Sequence, residues 1–103
     1  MSTYIIATIT PKPEHAADVE KELRHMVDVT RKEPGNRRYD LFRETREGRG
    51  PALHLYEIYV DRAAFDSHIA SAHFQAFVAK VGDWLADAPE VRVVDGIDVA
   101  PER

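Results

Sequence analysis

The sequence predicts an α+β fold in which an antiparallel sheet carries helices on one face, in the order β-α-β-β-α-β. Three observations predict it. Runs of β-branched and aromatic residues alternate with helical patterns, a glycine-rich turn joins the second run to the third, and a broken helical pattern precedes a last β run. This order is the split βαβ arrangement, which is called ferredoxin-like.

The first strand is predicted over residues 4–10, because these residues are mostly β-branched or aromatic and no turn residue interrupts them. Both of its faces are largely apolar, as in a strand that is covered on both sides. Pro11 and Pro13 end the strand, and Pro13 suits the first turn of a helix. Apolar residues at helical spacing then predict a helix that runs to about Lys32, where a Pro-Gly pair stops it.

The second and third strands are predicted over residues 37–46 and 52–60, and the glycine-rich turn makes them a hairpin. Asp61 is a candidate N-cap for the next helix, and Ser71 would cap a second helical segment, so the second helix is expected to be broken. A last strand is predicted over residues 89–99. The chain then ends in a polar tail that we expect to be mobile.

Length and composition predict one domain over residues 1–103, with an ordered core over about residues 3–98. The net charge of −4 and the lack of a basic run argue against a nucleic-acid partner. The sequence has no cysteine, which excludes disulfides, thiolate metal sites and cysteine nucleophiles. No signal peptide and no bilayer-spanning apolar run is visible, so we expect a cytoplasmic protein with no membrane partner.

The predicted sheet has more apolar surface than helices on one face can cover. Its other face still carries apolar and aromatic residues, which leaves that face without cover. A second copy that packs sheet against sheet is the simplest remedy. We therefore expect a homodimer with two-fold symmetry.

Titratable residues lie among apolar and aromatic ones between residues 53 and 77, and this mixture suits a pocket. Glu57 lies within an apolar strand and needs a partner if it is buried. His68 follows Phe65 by three residues, which places it on the apolar face of its helix, looking at the sheet. His73 opens the next helical segment, where a structural role at the helix break is the alternative to catalysis.

His68 is the candidate catalytic base and Glu57 the residue that would orient it, although His68 could equally close the fold by bonding Glu57 or a backbone carbonyl. His68 and His73 do not have the spacing of a zinc-binding helix, so we expect no metal site. Aromatic residues could line a slot for a flat ring, although the same spacing also suits a plain core. The candidate substrate-binding residues are Tyr39, Phe42, Tyr56, Phe65, His73 and Trp84.

A set of short motifs spans the middle of the chain. They are Glu33-Pro34-Gly35-Asn36, Tyr39-Asp40-Leu41-Phe42, Tyr56-Glu57, Asp61, Ala64-Phe65, His68 and His73-Phe74. Together they resemble the antibiotic biosynthesis monooxygenase (ABM) domain family, and the likeness runs from the first strand to the last helix. The resemblance implies a ferredoxin-like fold that assembles as a dimeric α/β barrel.

That family includes cofactor-free quinol and anthrone-type monooxygenases, haem-degrading enzymes and enzymes that process small sugar-like metabolites. The haem-degrading branch uses an Asn on the first strand and a Trp in the second helical region. Here Asn36 lies in the loop before the second strand and Trp84 lies late in the last helix, so haem degradation is not expected. The quinol-oxidising branch resembles this chain most, because its Tyr-Glu and paired-His pattern is intact.

The resemblance therefore implies a cofactor-free monooxygenase that oxidises a quinol or a polycyclic phenol with O2. Once deprotonated, such a ring gives an electron to dioxygen and the radical pair recombines, so the protein must supply a base and a dry pocket. Two alternatives stay open: a small-metabolite isomerase or processing enzyme, and a dimeric ligand-binding module without catalysis. A pocket lined by His, Glu and Arg would favour the isomerase, and a filled core would favour the binding module.

Overall fold

The computed structural model describes residues 1–101, and in them the predicted α+β, ferredoxin-like fold is confirmed. The sheet has the order β2-β3-β1-β4, and all neighbouring strands are antiparallel. The strands are β1 (Thr3–Ile9), β2 (Asn36–Glu44), β3 (Ala52–Tyr59) and β4 (Glu90–Val94), and the helices are α1 (Ala16–Thr30), α2 (Arg62–Ala70) and α3 (Ala72–Val81). No helix in this part of the chain is long and apolar enough to cross a bilayer.

The sheet has a covered face, on which the core is built. Ala7 of β1 pairs with Leu55 of β3, and Leu55 pairs with Leu41 of β2, so their side chains lie on the same face. Helix α1 packs on this face through Leu23 and Met26, which are almost completely buried. Burial of one such side chain stabilises a fold by about 1.5–3 kcal/mol. The covered face therefore holds the main hydrophobic core.

The opposite face of the sheet, here called the open face, is more exposed. Ile6 pairs with Tyr56, and Tyr56 pairs with Asp40, which places these residues on the open face together with Phe42. Phe42 is 54% exposed and Ile6 is 38% exposed. This is the surface on which the predicted homodimer would pack, and a single chain does not test that prediction.

Ser71 breaks the second helix and thereby places two histidines side by side. Its backbone is extended, with φ of −66° and ψ of 152°, which ends α2 and begins α3. Its hydroxyl donates to the backbone carbonyl of His68 at 2.6 Å and accepts from the backbone N–H of Phe74 at 3.2 Å. As a result the rings of His68 and His73 lie 6.0 Å apart. The predicted caps are both confirmed, since the Asp61 carboxylate accepts from the first turn of α2.

The turn between α1 and β2 lies directly against the start of α2. The backbone carbonyl of Gly35 accepts from the N–H of Val60 at 2.9 Å. A Cβ atom at position 35 would clash with the side chain of Ala64, so only glycine allows this approach. The close contact carries Glu33, two residues earlier, to the side of α2 that faces the turn.

The end of the chain differs from the sequence-based prediction. The last strand was expected over residues 89–99, but β4 spans only Glu90–Val94. The position of the partner strand β1 explains the difference. Val94 pairs with Tyr4, and β1 begins one residue before Tyr4, at Thr3. The residues that follow Val94 therefore have no strand to pair with. The final residues of the predicted polar tail, 102 and 103, lie outside the described part of the chain.

Candidate functional site

One glutamate joins the two histidines at the helix break. Oε2 of Glu33 lies 2.8 Å from Nδ1 of His68 and 2.6 Å from Nε2 of His73. The shared atom is a carboxylate oxygen, which accepts hydrogen bonds, so both imidazoles donate an N–H to it. The side chain of His68 is 2% exposed, that of Glu33 is 16% exposed and that of His73 is 26% exposed. The cluster therefore reaches from the protein interior to the surface.

Glu33 determines which nitrogen of His68 is basic. Because Nδ1 carries the hydrogen that Glu33 accepts, Nε2 of a neutral ring keeps its lone pair. Burial lowers the pKa of His68 below its ordinary value of 6.5, and the hydrogen bond and charge of Glu33 oppose that change without overcoming it. His68 is thus a neutral imidazole at pH 7, with an acceptor nitrogen in a fixed orientation.

Aromatic side chains surround His68. Its ring centroid lies 5.7 Å from that of Tyr39, 5.4 Å from that of Tyr59, 6.4 Å from that of Phe65 and 5.2 Å from that of Phe74. Most of these rings are tilted or edge-on to the imidazole, an arrangement that packs well. This aromatic surround keeps bulk water away from the imidazole.

A small cavity lies between the sheet and the helices α2 and α3. Its volume is about 70 Å³, and its polar lining consists of His68, Glu57 and Tyr39. The remaining lining is apolar, including the rings of Phe65 and Phe74. Four of the residues expected to form the site therefore meet here. They are the candidate base His68, the strand residue Glu57 and the aromatic residues Tyr39 and Phe65.

A larger cleft adjoins this cavity at the surface. It has a volume of about 300 Å³ and shares Phe77, Val78 and Pro89 with the inner cavity. Val78 on α3 is 48% exposed and Val91 on β4 is 51% exposed, so the inner cavity, which both residues line, lies close to the surface. Pockets for small ligands usually measure about 300–1,000 Å³. The cleft alone therefore reaches the lower end of this range.

Glu57 is a second titratable group in the cavity. It is 4% exposed and accepts a hydrogen bond of 2.7 Å from the hydroxyl of Tyr59. Burial raises the pKa of Glu57 to about 7; the Tyr59 hydrogen bond opposes this rise and the charge of Glu33 adds to it. The expected pairing of Glu57 with His68 is not found, because Glu33 takes that position.

Of the expected substrate-binding residues, His73 lies beside His68 but does not line the cavity, and three others lie away from it. Phe42 and Tyr56 project from the open face, because side chains alternate along a strand and their neighbours occupy the covered face. Trp84 lies in a 3-10 turn (Gly82–Trp84) beyond α3, where it stacks on His15 at 5.4 Å and 15°. The helix was expected to include Trp84, and the early end at Gly82 turns this ring towards the start of α1.

Sequence reasoning missed the role of Glu33. The residue lies 35 positions before His68 and 40 before His73, and no spacing rule connects residues so far apart. Its one local signal is the Pro-Gly pair that follows it, which predicts a sharp turn at the end of α1. Whether that turn contacts the second helix depends on how the strands assemble into the sheet.

Fold and site together define a small α+β protein with a carboxylate–imidazole cluster beside an aromatic cavity. Residues 2–80 match the model of the family described as antibiotic biosynthesis monooxygenase. The chain belongs to this family. The matched segment includes all the residues of the cluster and Glu57.

Relatives and solved structures agree with this assignment. "Putative monooxygenase Rv0793" of Mycobacterium tuberculosis is 34% identical over 96 residues, which cover 93% of this chain and 92% of the relative. "Putative monooxygenase YcnE" of Bacillus subtilis is 40% identical over 83 residues, or 81% and 84% of the two chains. The structure of Rv0793 has a TM-score of 0.88 over 98% of this chain and 100% of that chain. The family and these names support a monooxygenase-type function.

We expect Glu57→Gln to remove a pH dependence of stability. The pKa of Glu57 is about 7 in the fold, above its ordinary value of 4.5, so the native state holds this proton more tightly than the unfolded chain does. Its stabilising contribution is therefore fully present below pH 4.5 and is lost as the pH rises to about 7. The shift in the pKa of Glu57 corresponds to a change of about 3 kcal/mol in the free energy of unfolding. Glutamine keeps an acceptor for Tyr59 but does not ionise in this range.

Urea unfolding of the wild type and Glu57→Gln between pH 4.5 and pH 8 measures this effect. The free energy of unfolding of the variant should exceed that of the wild type at pH 8 and should depend less on pH. Glu90→Gln, at an exposed position on β4, serves as the matched control and should keep the wild-type profile. If the free energies of unfolding of Glu57→Gln and the wild type changed with pH in the same way, the raised pKa of Glu57 would be contradicted.

Proposed function

We propose that this protein is a cofactor-independent monooxygenase that oxidises a quinol or a related phenolic ring with O2. The observation that carries the proposal is the orientation of His68, whose Nδ1 donates to Glu33 while the ring borders an aromatic cavity. A neutral imidazole with one fixed acceptor nitrogen is suited to remove a phenolic proton at pH 7. The largely apolar lining, which includes aromatic rings, suits both a flat ring and dioxygen.

In the proposed reaction, Nε2 of His68 takes a proton from a ring hydroxyl. The resulting anion gives one electron to O2, and the two radicals recombine to form a carbon–oxygen bond. Protonation and loss of water then leave one oxygen atom in the product and the other in water. A quinol with a free ring carbon thus becomes a hydroxyquinone, with O2 as the only oxidant.

Each neighbouring residue has a proposed part in this chemistry. Glu33 orients His68, and His73 donates to Glu33 and so holds the carboxylate in place. Glu57, with a pKa of about 7, is the second proton carrier in the cavity. Tyr39 and the nearby phenylalanine rings contact the substrate ring, and the cleft beside Val78 admits it.

The character of the cavity supports this function over its alternatives. An isomerase for a polar metabolite needs several polar groups that converge on hydroxyls, whereas only His68, Glu57 and Tyr39 interrupt the apolar lining. A purely structural core would be filled, whereas this one retains a cavity of about 70 Å³ that adjoins a surface cleft. Both observations favour an apolar aromatic substrate.

We expect His68→Ala to abolish most of the oxidation. The measurement is O2 uptake with a menadiol-type quinol in metal-free buffer, corrected for the uncatalysed rate. A positioned general base contributes about 10²–10⁴-fold, so kcat/KM should fall by at least about 100-fold. His15→Ala is the matched control, because His15 also lies beside a carboxylate, that of Asp18 at 3.1 Å, but it precedes α1 and does not line the cavity.

The wild type should consume O2 well above the uncatalysed rate, and an anaerobic sample should leave the quinol unchanged. Circular dichroism confirms that both variants are folded before their rates are compared. Oxidation by the wild type at the uncatalysed rate, or by His68→Ala at the wild-type rate, would refute the proposal.

We also propose that two copies pack open face to open face as a homodimer. The support is the exposed apolar surface around Phe42 and Ile6 on a face that α1 does not cover. Sedimentation velocity should give the mass of a dimer for the wild type, and Phe42→Glu should shift it to a monomer. Val78→Glu, at a half-exposed valine on the helical side, should remain dimeric. A monomeric wild type would refute this proposal.

A further inference from the structure

We propose that Glu33, His68 and His73 form a binding site for a divalent transition-metal ion, with Zn²⁺ as the best match. One ligand atom from each residue lies within 4.8 Å of the others. Two imidazole nitrogens and one carboxylate oxygen are a ligand set that zinc takes in proteins, with a further position left for water or another ligand. This inference concerns metal binding and does not depend on the proposed oxidation.

Side-chain movements would bring the three ligand atoms, which lie within 4.8 Å of one another, into a geometry that holds an ion. The two nitrogens now lie 2.8 and 2.6 Å from the same carboxylate oxygen. Zinc bonds of about 2.0–2.1 Å in a tetrahedron place ligand atoms about 3.3 Å apart, so each nitrogen must withdraw from Oε2 by roughly half an ångström or slightly more. Glu33 and His73 are partly exposed, so their side chains have room for these movements.

The burial of the three ligands gives the ion a path from solvent. His68 is 2% exposed and forms the floor of the site, whereas His73 is 26% exposed and Glu33 is 16% exposed at its rim. The ligands also come from separate elements, namely the turn after α1, helix α2 and the start of α3. An ion would therefore tie these elements together and stabilise the fold by an amount that rises with the logarithm of the ion concentration above its Kd.

Two other histidines each form a pair with one carboxylate at the protein surface. His54 lies 2.7 Å from Glu44, and His15 lies 3.1 Å from Asp18, so each pair offers one imidazole and one carboxylate. Within residues 1–101, Glu33, His68 and His73 are the one group in which three such ligands converge. The two histidine–carboxylate pairs therefore serve as internal controls for weak binding of metal ions at the surface.

Metal binding would also change which nitrogen of His68 carries the hydrogen. The effect of this change on activity rests on the proposed function. An ion on Nδ1 displaces the hydrogen now donated to Glu33, and a neutral ring then carries its hydrogen on Nε2. Nε2 can no longer accept a proton from substrate. Zn²⁺ should thus inhibit the proposed oxidation, and Glu33→Gln should weaken that inhibition.

The primary test is calorimetric titration of the chelator-treated full chain with Zn²⁺, together with thermal unfolding. We expect saturable binding of one ion per chain and a rise in Tm with Zn²⁺, and no comparable effect of Mg²⁺, which prefers oxygen ligands. His73→Ala should weaken binding by at least about tenfold, since loss of an outer-shell partner alone costs 10–100-fold. His54→Ala should bind Zn²⁺ as the wild type does.

Two results would overturn the inference. One is the absence of saturable Zn²⁺ binding to the wild type, and the other is equal binding by the wild type and His73→Ala. His73 is partly exposed at a helix start, so this variant is expected to fold, and it decides the question even if Glu33→Gln does not fold. Because the titration requires no substrate, it remains decisive if the oxidation is not observed.

Discussion

The site depends on one oxygen atom, Oε2 of Glu33, which accepts hydrogen bonds from two imidazoles. These bonds connect the turn after α1 to both halves of the broken helix, across 35 and 40 residues of sequence. Each charge-assisted bond of this kind is stronger than a neutral one. The close approach of Gly35 to α2 and the break at Ser71 are the backbone features that make the arrangement possible.

Two carboxyl groups near His68 differ because their surroundings differ. Glu33 lies at the rim, with two N–H donors, and is suited to orient an imidazole. Glu57 lies in the sheet with a single phenolic donor, and burial raises its pKa to about 7.

Local signals in the sequence predicted most of the fold, and long-range contacts account for the errors. Asp61 and Ser71 were predicted correctly as caps, because a cap bonds a backbone N–H only a few residues away. The end of β4 depends on where its partner β1 begins, which β4 itself does not encode. Likewise His68 was placed correctly on the inner side of its helix, whereas its partner Glu33 could not be found from spacing. Phe42 lies on the face opposite Tyr39, because side chains alternate along β2, so the two residues cannot line the same pocket.

The most direct test of this account is the ¹⁵N NMR spectrum of the histidine rings in metal-free protein at neutral pH. The account predicts that the His68 ring is neutral, with the hydrogen on Nδ1 and the lone pair on Nε2, because Nδ1 donates to Glu33. It also predicts a hydrogen on Nε2 of His73. A neutral His68 with its hydrogen on Nε2 would show that Glu33 does not orient the ring and would contradict the account.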